Sequence, residues 1–92
     1  MNEPLFSLGQ IVATPGALQA LRDAGTDGLE YLARHVRGDW GDLDDADKRE
    51  NDLSVREGFR ILSAYTLSTG VRIWLLTAAD LSATTFLLPE EY

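Results

Sequence analysis

From the first helix onward the spacing of apolar residues changes once, at Gly58, and that change limits the fold more than any other feature. Before Gly58 the apolar positions recur every three or four residues; after it they alternate with their neighbours. Leu29, Leu32, Ala33 and Val36 stand at i, i+3, i+4 and i+7, which predicts a helix over about residues 27–37 with one buried stripe. Beyond Gly58, Phe59, Ile61, Ser63 and Tyr65 fall on one face of an extended run, and Leu62 and Ala64 on the other. Val71, Ile73 and Leu75 alternate in the same way with Arg72, Trp74 and Leu76. These two runs flank Ser68-Thr69-Gly70, a hairpin loop by composition. A third extended run, about residues 83–88, follows the turn at 78–82 and is closed by Pro89.

The segment before residue 27 adds a short strand, about residues 6–13, and a first helix. Thr14 is a good N-cap and Pro15 is tolerated in a first turn. That helix runs to about Ala24, with Ala17, Leu18, Leu21 and Ala24 on one stripe; Gly25 stops it and Thr26 caps the next. Glu30 and Arg34 are spaced for an i, i+4 ion pair, and Gly38 ends the second helix. A third helix over about residues 45–57 opens with Asp44 as N-cap and Asp45 and Asp47 in its first turn. Its apolar anchors are few: Ala46, Leu53 and Val55. The expected architecture is a single α+β domain over 1–92, with a short N-terminal strand, two to three helices, and a three-stranded antiparallel meander.

Composition excludes several chemistries. With 92 residues, 45% of them apolar and 25% charged, the chain suits one globular domain with a modest core. It has no cysteine and one histidine, so disulfides, thiol catalysis and thiolate metal sites are absent, and no tightly held metal or other cofactor is expected. A net charge of −7 disfavours direct nucleic-acid binding and anionic membranes, and points to a protein partner with a basic surface. No apolar run approaches the roughly 18 residues of a membrane span. The stretch MNEPLFSLGQ lacks the basic start and long apolar run of a signal peptide, so the expected location is cytoplasmic.

One segment concentrates the reactive groups. RHVRGDWGDLDDADKREND holds the single histidine, one of two tryptophans and a dense set of carboxylates. His35 and Asp39 could form a base and its orienting carboxylate, but no nucleophile accompanies them, and a half-buried His35 bonded to the following turn is the favoured reading. An EF-hand starting at Asp39 would place glycine at position 3, leucine at 5 and aspartate at 6, so that loop is rejected; Asp42, Asp44 and Asp45 could hold at most a weak divalent cation. No catalytic residue is assigned. Capping accounts for part of the acidity, with Trp40 folding back as an apolar plug, but between Asp39 and Glu57 eight acids face three bases. That surplus suits a partner-facing edge formed by Asp39, Trp40, Asp42, Asp44, Asp45, Asp52 and Glu57.

The strings GQIVATPGAL, YLARHVRGDWGDLDDADKREND, RILSAY and SATTFLLPEEY, taken together, resemble a family of small proteins of plasmids, integrated elements and phage-like islands. Members are labelled "plasmid-related protein" or, by transfer, "type I restriction endonuclease subunit M". The resemblance runs from Leu8 to Tyr92 and is most specific at His35 with Gly38-Asp39-Trp40-Gly41, and at Leu87-Leu88-Pro89-Glu90-Glu91-Tyr92. Relatives read Thr-Glu-Ala-Asp-Arg-Ser where this chain has Thr77-Ala78-Ala79-Asp80-Leu81-Ser82, so a charged site at that turn is not carried over. The methyltransferase label fails: the chain lacks a glycine-rich cofactor loop and an Asn-Pro-Pro-aromatic motif, and is too short for a Rossmann-type sheet. What the resemblance implies is context, namely mobile DNA and its contest with host defence. The function expected on these grounds is an acidic binding protein of a mobile element that blocks a basic surface of a defence nucleoprotein, as in anti-CRISPR or anti-restriction activity. The alternatives are a small enzyme or metal-dependent activity centred on His35 and Asp39, or a homodimeric accessory protein of plasmid maintenance.

Overall fold

The computed structural model describes residues 3–92; the first two residues of the N-terminal stretch read above lie outside it. The elements run β1 (Gln10–Ala13), α1 (Pro15–Asp23), α2 (Leu29–Val36), α3 (Asp45–Glu57), β2 (Ile61–Thr66), β3 (Arg72–Thr77) and β4 (Ala83–Leu87), followed by a short 3-10 turn at Pro89–Glu91. β2, β3 and β4 form the expected antiparallel meander, with Ala64 opposite Trp74 and Leu75 opposite Phe86. β1 completes the sheet beside β4 in the order β1-β4-β3-β2, and it joins in parallel.

One face of the sheet is apolar and covered. Ile73, Leu75, Tyr65 and Phe86 pack against Ala17, Ala20 and Leu21 of α1 and Tyr31 and Leu32 of α2. A second cluster of Phe6, Trp40 and Ile61 lies between α2 and α3, with Val36, Leu43, Val55 and Leu81 against it. The helices sit on this face or along the β2 edge because their apolar stripes need a surface to cover.

Three expectations about faces are corrected. In α2 the buried residues are Tyr31, Leu32 and His35, while Leu29 is 63% exposed. The helix is rotated from its aliphatic stripe because β2 and β3 offer hydroxyl partners to the imidazole, and Tyr31 contributes more apolar area than Leu29 can. In α1, Ala20 is buried where Leu18 was expected. In α3 the inward residues are Asn51 and Ser54; Leu53 and Val55 are half-buried and Ala46 is exposed. The first strand is also shorter than expected. Gly9 adopts φ +64, where a Cβ would sit 2.4 Å from the Ser82 carbonyl oxygen, so the chain bends there and Phe6 enters the second cluster from a loop.

The outer edge of β2 is closed by the chain itself. The Ala64 N–H donates to the Trp40 carbonyl, and the Asp42 N–H donates to the Ala64 carbonyl. One residue pair earlier, the Asn51 side chain accepts from the Leu62 N–H and donates to the Leu62 carbonyl. Every outward backbone group of Leu62 and Ala64 is thereby satisfied, which leaves no template for a further strand. The closure requires Gly41: its φ is +75, and a Cβ would lie 1.9 Å from the Ala64 carbonyl oxygen.

This geometry predicts unequal costs for two glycine substitutions. Gly58→Ala, at φ +80 in open space, should lower unfolding free energy by about 1 kcal/mol from backbone strain alone. Gly41→Ala should cost several times more, because it must also break the two hydrogen bonds between the 40–42 segment and Ala64. Urea titration of both variants checks the ordering.

Candidate functional site

His35 is fully buried, and both ring nitrogens are taken. Nδ1 lies 2.5 Å from Ser63 Oγ and Nε2 lies 2.9 Å from Thr77 Oγ1. Thr77 Oγ1 is 2.7 Å from Thr84 Oγ1, and the Thr84 hydroxyl donates to the Leu8 carbonyl at 2.7 Å. Each hydroxyl has one proton, so the last bond fixes the rest. Thr84 spends its proton on Leu8 and must accept from Thr77; Thr77 must then accept from His35 Nε2–H; neutral His35 accepts at Nδ1 from Ser63. The result is a directed chain from Ser63 through His35, Thr77 and Thr84 to Leu8, and every side chain in it is fully buried.

His35 is therefore neither half-buried nor bonded to the following turn, as the sequence suggested. The turn is served by Asp39 instead, which receives Arg34 Nε at 2.6 Å and Nη2 at 3.3 Å. Arg34 thus pairs with Asp39 rather than with Glu30, and its guanidinium lies 4.6 Å from the Tyr65 ring centroid. The guanidinium beside Asp39 holds its carboxyl below the usual carboxylate range. The Tyr65 hydroxyl donates to the Asp39 carbonyl, and burial pushes its pKa up to about 12. His35 and Asp39 do not hydrogen-bond to each other, so the pair considered for acid–base chemistry is split between a sealed network and a surface ion pair.

The seven residues expected to face a partner divide into three groups. Trp40 is 4% exposed and stacks near Phe6, so it supports the turn from inside. Asp39, Asp42, Asp44 and Asp52 hold local structure: Asp42 accepts from Thr66 Oγ1, Asp44 caps α3 through the Asp47 N–H, and Asp52 accepts from the Trp40 indole. Asp45 and Glu57 are exposed and make no side-chain hydrogen bond or ion pair among the described residues. Asp47 and Glu50, not singled out from sequence, share that condition. Among the described residues no group of three His, Cys, Asp or Glu side chains is placed to hold a metal ion, and no ligand-sized cleft is found.

Sequence reasoning missed Ser63, Thr77, Thr84, Asn51 and Glu91. Ser63 left a signal, as a polar residue at a covered-face position of β2. Glu91 left none: its carboxylate accepts from Thr14 Oγ1, Gly16 N–H and Leu88 N–H, pinning the chain's last turn to the start of α1. Those hydrogen bonds hold the Glu91 carboxyl below its ordinary range. The strings ATPGAL and LLPEEY thus meet in one cluster, and RHVRGDWG meets RILSAY in another.

Burial lowers the His35 pKa from 6.5 to about 4, so the unfolded chain takes up a proton before the folded one does. Stability should be full above pH 6.5 and fall as pH drops toward 4, by about 3 kcal/mol across that window. Losses from Glu91 and Asp39 join as pH falls through their unfolded values of 4.5 and 3.8, so the upper part of the window, from pH 6.5 to about 5, reports His35 alone. His35→Gln should abolish the slope between pH 6.5 and about 5, whatever its overall stability; equilibrium unfolding at several pH values measures both curves. Comparison with family models, curated proteins and solved structures finds no match to the chain.

Proposed function

We propose that the protein is a cytoplasmic binding protein whose acidic edge docks on a basic protein surface, and that its setting is the contest between mobile DNA and host defence. Blocking a defence nucleoprotein, in the manner of an anti-CRISPR or anti-restriction factor, is the concrete form of this reading. The observation that carries it is the free set on α3. Asp45, Asp47, Glu50 and Glu57 are exposed and unpaired among the described residues, on a helix whose buried residues are Asn51 and Ser54. Folding does not account for these four carboxylates beyond the dipole complement of the first turn. Charges at such a rim mainly speed encounter with an opposite surface and lose effect as salt screens them, over roughly 8 Å at physiological ionic strength.

Supporting the non-catalytic part of the reading, the one imidazole has no free nitrogen, and the nearest candidate carboxylate is engaged by Arg34. No helix of the described residues is long and apolar enough to cross a membrane.

Capture of partners from a host carrying the element, followed by mass spectrometry, identifies the basic protein. Reversing Asp45, Glu50 and Glu57 to lysine should then slow association about tenfold or more and flatten its salt dependence, with the melting temperature within a few degrees of wild type. Asp42 and Asp52 are unsuited to this test, because they anchor Thr66 and the Trp40 indole. Asp52→Ala should instead cost about 1 kcal/mol of stability. Unchanged association in the triple variant would refute the acidic edge.

A further inference from the structure

The two edges of the sheet are built differently. At the β2 edge the 40–42 segment and Asn51 occupy the outward backbone groups of Leu62 and Ala64. At the β1 edge nothing comparable is present. In the ladder with β4, the Gln10 N–H donates to the Ser82 carbonyl and the Thr14 N–H donates to the Phe86 carbonyl. The register from Gln10↔Ala83 to Ala13↔Phe86 places Val12 in the same inward-bonding set. Ile11 and Ala13 therefore direct their N–H and C=O groups away from the sheet, and these have no partner among the described residues. The strand reads Gln-Ile-Val-Ala, with no charge and no proline, and leaves Ile11 43% and Val12 39% exposed. An uncharged, apolar, open edge is a template for another strand.

We propose that β1 pairs with β1 of a second copy of this chain, antiparallel about a two-fold axis through Val12, so that two sheets become one. The strand's own limits choose this register. Gly9 bends the chain on one side and Pro15 begins α1 on the other, which leaves Ile11 and Ala13 as the two outward-bonding residues. About Val12, Ile11 faces Ala13 of the partner subunit, and each such pair exchanges two hydrogen bonds. A parallel approach has no two-fold axis and cannot close on itself in this way.

Charge argues for a second copy over a foreign basic partner at this edge. Residues 39–57 carry −5 of the chain's −7 and lie along β2, at the far side of the sheet. Three strand spacings, roughly 14 Å, separate β1 from that edge, which exceeds the screening length of about 8 Å. The carboxylates nearest β1 are Glu91, bonded to Thr14 and Gly16, and Asp80, bonded to Ser82, one at each end of the strand. Repulsion between copies is therefore weaker where the β1 strands meet than at the denser acidic edge, to which a basic protein is drawn. The pairing is independent of the acidic-edge reading and leaves that edge free. With four residues per strand the interface is well below the ~800 Å² per partner of a standard complex, so the dimer forms in a concentration-dependent way.

Sedimentation of the whole chain from roughly 10 μM to 1 mM, with amide hydrogen exchange at both ends of that range, tests the pairing. The mass should move from 10.1 kDa toward twice that value. Exchange at the Ile11 and Ala13 amides should slow with concentration, while exchange at Gln10 and Val12 stays constant. Ile11→Pro removes an outward donor at an edge position that tolerates proline, and Val12→Lys sets two like charges against each other at the axis. Each should hold the protein at its monomer mass; if Ile11→Pro does not fold, Val12→Lys decides alone. A monomer at every concentration would overturn the proposal, as would a dimer with unchanged exchange at Ile11 and Ala13. A co-purified peptide protecting those two amides in a monomer would assign the edge to a different occupant.

Discussion

The hydrogen-bonded chain from Ser63 through His35, Thr77 and Thr84 to the Leu8 carbonyl ties together α2, three sheet strands and the segment leading into β1. Four buried polar side chains in a domain of this size are costly unless each is satisfied, and here each has a partner in one consistent direction. That requirement sets the rotation of α2 on the sheet. It also sets the approach of the N-terminal segment, because only the Leu8 carbonyl completes the chain. A helix slid by one residue along the sheet would leave several buried groups unpaired.

From that fixed helix the chain leaves through Gly38 and passes directly along β2. Asp39 is held by Arg34 from the helix and by its own carbonyl on Tyr65, and Trp40 fills the space between α2 and α3. Gly41 and Asp42 then lie against Ala64, and Asn51 of α3 covers the next pair of backbone groups. The residues that look most like a reaction centre thus build an edge closure. His35 and Asp39 spend their polar groups on Ser63, Thr77 and Arg34, so the two do not act on each other.

The charge distribution follows from the same arrangement. Four of the eight acids between residues 39 and 57 are engaged in local bonds, and the exposed remainder sits on α3 at one border of the sheet. The strand at the opposite border carries no charged residue, and the outward backbone groups of Ile11 and Ala13 have no partner among the described residues.

Much of the fold was legible in the sequence, because local rules govern it. The boundaries of α3 follow from Asp44 and Gly58, and the meander follows from alternation around Ser68-Thr69-Gly70. The site was less legible. Leu29, Leu32, Ala33 and Val36 define an aliphatic stripe, yet α2 buries His35 because Ser63 and Thr77, distant in sequence, supply partners that periodicity does not register. Asp39, Asp42 and Asp52 resembled a free acidic surface for the same reason: their donors are Arg34, Thr66 and the Trp40 indole, which the folded chain brings near, whereas the cap that Asp44 forms with the Asp47 amide is local and was legible. The sequence alone determined the element order, the absence of thiol chemistry and the acidic balance, since these depend on residue identity and near-neighbour spacing. The tertiary structure alone decided which polar groups are spent and which remain free, since a hydrogen bond depends on distance and direction between groups that the chain separates.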